Sequence, residues 1–302
     1  MLIACFEVRR EIRRPLTPPD SPRSYPLDAQ HKTLELPGGV DMPALALGTW
    51  PMRGNEARDA VASALHLGYR HVDTAENYEN EEAVGAGLRA SGLPRDQVFL
   101  TSKFNKRWHS FSGVGQAFEN SAQRLGVDYL DLFLIHWPNP DQGTFTDALA
   151  GLIELREQGK IRAAGVSNFK PAHLQAVREA GLLPAVNQIM IDPEHLNAET
   201  LAANDAHGVR TVAYTPLGRM GAFLQAEAIS APAAHYGKTP AQITLRWHVQ
   251  SGRGAAPKSA DPRRQAENLD IFDFELTDAQ MRAIDALDSG DGPKMDSDSF
   301  GH

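Results

Sequence analysis

From about residue 45 onward the chain alternates apolar runs of four to eight residues with longer stretches in which apolar residues recur every three or four positions. The runs near 45–48, 69–73, 98–102, 129–135, 161–166, 185–188, 210–213 and 254–257 read as strands buried on both faces. The stretches near 55–67, 79–91, 112–125, 145–158, 171–180, 198–207, 239–250 and 261–267 read as helices between them, and a further helix near 277–287 is opened by Thr277-Asp278. Regular alternation of this kind predicts βα units around a parallel sheet, and eight units are enough to close it. The expected fold class is therefore α/β, a (β/α)8 TIM barrel over residues 30–302. Ahead of it, His31 to Asp41 reads as a hairpin turning at Pro37-Gly38-Gly39. Leu217 to Tyr236 is longer than a simple loop needs, and long βα loops on a rigid scaffold usually carry function.

Residues 1–29 break the pattern. Arg9, Arg10, Arg13 and Arg14 precede Pro15, Pro18, Pro19, Pro22 and Pro26 with few apolar residues between them, too few to offset chain entropy. A disordered N-terminal extension is expected. Leu2-Ile3-Ala4-Cys5 imitates a lipobox, but only four residues precede the cysteine, where a signal needs a basic region and an apolar stretch. At 302 residues the chain suits one large domain. The net charge of -8 argues against a polyanionic partner such as nucleic acid, and no apolar run is long enough for a membrane span. The single cysteine excludes an internal disulfide framework and makes the cytoplasm the default location.

Chemistry-bearing side chains gather at the strand ends, where α/β barrels place their catalytic groups. Tyr69 to Asp73 ends in a carboxylate, with Tyr78 shortly after it and Glu79 onward read as an acid-rich helix start; Gln97 to Lys103 ends in a lysine, and Tyr129 to His136 in a histidine followed by Trp137-Pro138. Together these groups can move a proton: Tyr78 as acid, Lys103 as the cation that eases its ionisation, Asp73 holding the ammonium, and His136 bonding a substrate oxygen. Taken singly, each has an ordinary alternative: a packed tyrosine, a capping aspartate, a surface lysine, a satisfied core histidine. A second cluster, Pro257-Lys258-Ser259-Ala260-Asp261-Pro262-Arg263-Arg264, ends the last strand and opens a helix, which suits a phosphate or merely a solvated basic helix start.

Asp73-x-x-x-x-Tyr78-x-Asn80-Glu81, Ser102-Lys103 and Leu134-Ile135-His136-Trp137-Pro138, standing in this order, resemble the motifs of the aldo-keto reductases, and in particular bacterial members of the diketogluconate-reductase type. The resemblance covers about residues 32 to 300. It implies reduction of aldehydes or ketones with NADPH, with Tyr78, Lys103, Asp73 and His136 as the catalytic set and the hairpin closing the barrel floor. It further implies that Ser167, Asn168 and Gln188 bond the nicotinamide carboxamide, that Tyr214 stacks on the nicotinamide ring, and that the loop through Pro216, Leu217 and Gly218 covers the pyrophosphate. Lys258, Ser259 and Arg264 would bind the 2'-phosphate, and Glu267 and Asn268 the adenine; Gly48 and Thr49 are assigned to the same cofactor groove. Trp50, Trp108 and Trp137 would line the substrate pocket, with a small carbonyl compound as partner, and a monomer is the family expectation. Two departures stand out: Phe104-Asn105-Lys106-Arg107-Trp108 replaces the common Leu-Trp pair, and Gly292-Pro293-Lys294-Met295-Asp296 replaces a Gly-Pro-Asp-Pro type of ending. Two other enzyme readings fail. Gly85-Ala86-Gly87-Leu88-Arg89-Ala90 imitates a dinucleotide fingerprint but lies inside a predicted helix rather than after a strand, and no clustered metal ligands such as His-x-His occur. A barrel that binds NADPH as a sensor or regulatory subunit, without turnover, stays open as the alternative from another class.

Overall fold

The computed structural model describes residues 32–290 and 295–302, so the expected extension over residues 1–29 lies outside the described residues. Strands β1 (Thr33–Leu36) and β2 (Val40–Pro43) form the antiparallel hairpin, with Leu36 opposite Val40. Eight parallel strands follow: β3 (Leu47–Gly48), β4 (His71–Asp73), β5 (Phe99–Phe104), β6 (Leu130–Ile135), β7 (Ile161–Ser167), β8 (Val186–Met190), β9 (Arg210–Tyr214) and β10 (Gly254–Ala256). They neighbour one another in chain order. The ring closes where the β3 segment meets β10: Gly48 N–H donates to Pro257 O at 3.0 Å and Ala46 N–H to Ala255 O at 2.9 Å. A side chain on Gly48 would sit 2.7 Å from Ala256 O, so this glycine is required by the seam. The predicted (β/α)8 barrel and its hairpin are both present.

The helices are α1 (Gly54–Leu67), α2 (Glu81–Ala90), α3 (Gly113–Leu125), α4 (Phe145–Glu157), α5 (Pro171–Glu179), α6 (Ala198–His207), α7 (Glu227–Tyr236), α8 (Pro240–Gln250), α9 (Pro262–Leu269) and α10 (Asp278–Asp285). Two differ from the sequence expectation. Helix α7 occupies the stretch expected as a long loop, because Pro232 in its middle breaks the helical pattern; the cost of that proline, about 3 kcal/mol, is offset by burying Ile229, Pro232 and Ala233. Helix α2 begins at Glu81 rather than Glu79, since Glu79 is left-handed (φ 52°). Asn80 is held out of the helix by its side chain, which donates to Met52 O at 2.9 Å and accepts from the Thr74 hydroxyl at 2.7 Å.

Strands β5 and β6 are buried along their whole length, as strands in a doubly covered parallel sheet must be. Yet β5 reads Phe-Leu-Thr-Ser-Lys-Phe. Three polar side chains in a fully buried strand are stable only if each finds partners, so β5 already marks where the interior is polar. The glycine pair in α2 has a packing role: Cβ atoms there would overlap the Leu125 carbonyl oxygen (Gly85) and come within 2.6 Å of Arg58 O (Gly87). These glycines let α2 lie close against α1 and α3, which disposes of the dinucleotide reading.

Gly85→Ala tests this packing. Alanine gains about 1 kcal/mol of helix propensity, but overpacking against backbone costs about 1–3 kcal/mol, a net loss of up to about 2 kcal/mol, so Tm is expected to fall by up to about 4 °C. A higher Tm in a thermal melt would show that propensity wins and that the helices have room.

Candidate active site

The ends of β4 and β5 bring Asp73 and Lys103 together inside the barrel. Lys103 has three N–H donors and uses all of them: Asp73 Oδ1 at 2.6 Å, Thr74 O at 2.9 Å and the Tyr78 phenol oxygen at 3.4 Å. Its side chain is 1% exposed. Asp73 completes its own shell by accepting from Gln188 Nε2 at 2.7 Å, and its backbone carbonyl accepts from the Thr49 hydroxyl at 3.0 Å. Because the ammonium already donates to the phenol oxygen, the Tyr78 O–H is left to donate elsewhere. His136, at the end of β6, faces the Tyr78 ring edge-on at 5.8 Å.

Burial sets the protonation states. For Lys103 it opposes the ammonium, but the Asp73 charge and Tyr78 outweigh it and its pKa lies above the ordinary lysine value. Burial pushes the Tyr78 phenol up, and the Lys103 cation only partly counters this, so the expected easing of ionisation is outweighed and Tyr78 is a protonated phenol at neutral pH. His136 lies well below the usual histidine range through burial, then Lys103 and His302, and is neutral.

Beside this set stand the residues that the sequence suggests for a cofactor. Ser167, Asn168 and Tyr214 form a chain: Tyr214 O–H donates to Asn168 Oδ1 at 2.8 Å, Asn168 Nδ2 to Ser167 Oγ and His136 O at 3.0 Å, and Ser167 O–H to Gln188 O at 2.8 Å. Gln188 Nε2 donates into the ion pair, Gly48 lies in the barrel seam, and the Thr49 hydroxyl bonds Asp73 O. Pro216, Leu217 and Gly218 follow β9; a Cβ on Gly218, at φ 55°, would press on Phe223. At the far end Asp261 caps α9, accepting from Arg263 N–H at 2.9 Å, and buried Ser259 sits just before it. Lys258 and Arg264 are 39% and 63% exposed and make only loose ion contacts, at 3.8 Å to Glu56 and 3.9 Å to Asp261. Two available cations beside a helix start fit a phosphate monoester, whereas the Ser259 hydroxyl already donates to Asp261 O at 3.1 Å. Asn268 is buried and Glu267 exposed on the same helix.

Residues 44–289 match the model of the Aldo/keto reductase family. The chain belongs to the aldo/keto reductase family. It is 44% identical to 2,5-diketo-D-gluconic acid reductase B of Corynebacterium sp. (strain SHS752001) over 259 residues, 85% of this chain and 94% of that one. It is 43% identical over 272 residues to methylglyoxal reductase DkgA of Yersinia pestis, covering 89% and 97%. Among solved structures, apo Gox0644 superposes with a TM-score of 0.85 at 38% identity, covering 90% of this chain and 99% of that one, and a mutant of the same protein is solved in complex with NADPH.

At the mouth of this aldo/keto reductase the three predicted tryptophans have different positions. Trp50 is 48% exposed, with Arg219 stacked on its ring at 4.9 Å. Trp137 is buried, packs on Phe300 at 4.8 Å, and its indole N–H has no partner among the described residues. Trp108 donates its indole N–H to Glu76 at 3.1 Å. Residues 295–302 lie across the mouth: Lys170 pairs with Asp296 and, at 2.7 Å, with Asp298, and His302 faces His136 at 5.3 Å while its carbonyl accepts from Lys106 N–H at 3.0 Å. Glu76, His302 and Gln265 carry no signal in the sequence; Gln265 holds the segment after β10 by donating to Ser259 O at 2.9 Å and Ala60 O at 3.0 Å. Asp192, Glu194 and His195 bring potential metal ligands within 4.8 Å of one another, but Asp192 Oδ1 already accepts from the His195 ring at 2.8 Å and Glu194 N–H at 3.0 Å.

His109 supplies a pH test. It is buried near the Phe104 ring, neither ring nitrogen has a partner among the described residues, and burial, then Lys106, lowers its pKa to about 4. The unfolded chain titrates near 6.5, so this group's contribution is fully present above pH 6.5 and is lost as pH falls toward 4; by pH 5 the loss is about 2 kcal/mol. His109→Phe removes it. Urea midpoints at pH 7.5 and 5.0 are expected to diverge less in the variant than in the wild type, and equal divergence would contradict a buried neutral imidazole.

Proposed function

We propose that the protein reduces small aldehydes and ketones to alcohols with NADPH, using Tyr78 as the proton donor. The observation that carries this reading is the full use of the Lys103 donors, which fixes an ammonium against the phenol oxygen and leaves the Tyr78 O–H for a substrate. Bound NADPH supplies the hydride to the carbonyl carbon. Neutral His136 bonds the carbonyl oxygen and sets its direction, and as negative charge grows on that oxygen Tyr78 gives it a proton. The Lys103 ammonium stabilises the phenolate that remains, and Asp73 keeps the ammonium in place. Ser167, Asn168 and Tyr214 would hold the nicotinamide end of the cofactor, with Lys258, Ser259 and Arg264 on its 2'-phosphate and Glu267 and Asn268 on its adenine. The names of the curated relatives favour dicarbonyls and keto-sugar acids as the substrate class. No observation favours a sensor without turnover over this reading.

Tyr78→Phe removes the proton without disturbing the ring and is expected to lower kcat by at least ~10²-fold while NADPH affinity changes little. Lys103→Met should act in the same direction. NADPH consumption with a panel of simple aldehydes, ketones and dicarbonyls measures both, and near-normal turnover in the Tyr78 variant would remove the assigned mechanism.

Cofactor choice follows from the two available cations. Charge-assisted bonds contribute about 1.5–3 kcal/mol each, and discounting for the exposure of Lys258 and Arg264 leaves a preference for NADPH over NADH on the order of 10². Arg264→Ala should weaken NADPH and leave NADH nearly unchanged. Fluorescence titration with both cofactors decides this: equal losses for the two would place the phosphate elsewhere.

A further inference from the structure

Tyr78 stands on a single turn of 3-10 helix, Glu76–Tyr78, which closes on two backbone bonds, Tyr78 N–H to Ala75 O at 3.1 Å and Glu79 N–H to Glu76 O at 3.2 Å, and ends in the left-handed Glu79. One isolated turn has no cooperative stability of its own, so its orientation must come from side chains. Thr74 and Asn80 fix the chain on either side. Within the turn, Asn77 is exposed and Tyr78 half-buried, and Glu76 is buried. Its carboxylate accepts from Asn105 N–H at 3.1 Å and from the Trp108 indole N–H at 3.1 Å, and pairs with Arg107. Arg107 is 63% exposed, so its charge is screened by solvent and the two neutral donors hold the geometry. All three partners belong to the segment that leaves β5 just after Lys103.

We infer that Glu76 is a positioning residue for Tyr78: it clamps the turn that carries the phenol to the strand end that carries the ammonium. The inference rests on Tyr78 being the proton donor and adds how that donor is held 3.4 Å from Lys103 Nζ. It also changes the role of Trp108. In place of a pocket wall facing substrate, this indole is the donor that secures Glu76, so the unusual Phe104-Asn105-Lys106-Arg107-Trp108 run and the acid at position 76 form one device. Misplacement of a reacting group by about 1 Å can cost up to 10²-fold in rate, and the cost falls on every substrate alike because the clamp acts on the proton donor.

The test uses Glu76→Ala, Glu76→Gln, Trp108→Phe and the Glu76→Ala/Trp108→Phe double variant, with Tyr78→Phe as reference. Each is measured for kcat and KM on at least three unrelated carbonyl substrates, for NADPH affinity and for Tm. Glu76→Ala is expected to lower kcat about 10- to 100-fold by the same factor on all substrates, with KM and NADPH affinity within about twofold of wild type. Glu76→Gln, which keeps one acceptor oxygen, should restore part of the loss. Trp108→Phe should cost less than Glu76→Ala and add nothing in the double variant, since both cut the same contact. Unchanged kcat in Glu76→Ala overturns the inference. So do losses that differ between substrates or fall on KM, which would return Trp108 to the pocket wall, or losses shared with NADPH affinity and Tm, which would make Glu76 a general fold element. Near-normal turnover in Tyr78→Phe overturns the donor reading and the clamp together, whereas a crippled Tyr78→Phe beside an active Glu76→Ala removes the clamp alone.

Discussion

A lysine ammonium inside a protein is costly unless its charge and all its N–H groups are answered, and the top of this barrel is arranged around that requirement. Desolvating such an ion costs several kcal/mol, and removing one partner of a buried pair typically costs 3–5 kcal/mol. Lys103 is satisfied by Asp73, Thr74 and Tyr78, and Asp73 in turn by Gln188. These partners come from β4, the turn after it and β8, so only the closed barrel brings them to one point. A chain that could not bury Lys103 properly would also misplace its phenol.

The same burial sets the chemistry. It keeps His136 neutral and Tyr78 protonated, so the pocket presents an imidazole and a phenol rather than an imidazolium and a phenolate. One would not expect a lysine at hydrogen-bond distance to leave a tyrosine less acidic than in water. The reason is that Lys103 is itself neutralised by Asp73, so its field at the phenol is weaker than that of a lone cation, and desolvation prevails. In the proposed reaction the ammonium acts when charge appears, because a fixed dipole in a dry site stabilises a forming phenolate without reorganising.

Charges elsewhere on the same face are arranged in the opposite way. Lys258 and Arg264 stay exposed and loosely paired, which leaves them able to exchange solvent for a phosphate, whereas Asp73 and Lys103 are closed off. The mouth has a third arrangement: residues 295–302 lie over His136 and Trp137, tied to the start of α5 by Lys170 and to the segment after β5 by the Lys106 backbone. Closed-off interior charges, exposed cations and the laid-over segment each follow from how much water the charged groups keep.

The alternation of apolar runs specified eight βα units and hence the barrel, because a parallel strand buried on both faces has no other stable pattern, and the ordered strand-end motifs pointed to Asp73, Tyr78, Lys103 and His136, which the closed barrel brings together. Four things were not legible in one dimension. The α2 start moved to Glu81 because Asn80 bonds to Met52 and Thr74, and α7 was hidden by Pro232, whose cost only its buried neighbours offset. Gly48 closes the seam and Thr49 bonds the Asp73 carbonyl, contacts that a glycine or a hydroxyl at a strand end does not announce in sequence. Most of all, an acid at position 76 and a tryptophan at position 108 carry no signal separately; their 3.1 Å contact exists because β4 and β5 are adjacent. Periodicity and motif order specify which elements form and which end of them is chemical, while side-chain orientation depends on partners distant in the chain and is decided only when the barrel closes.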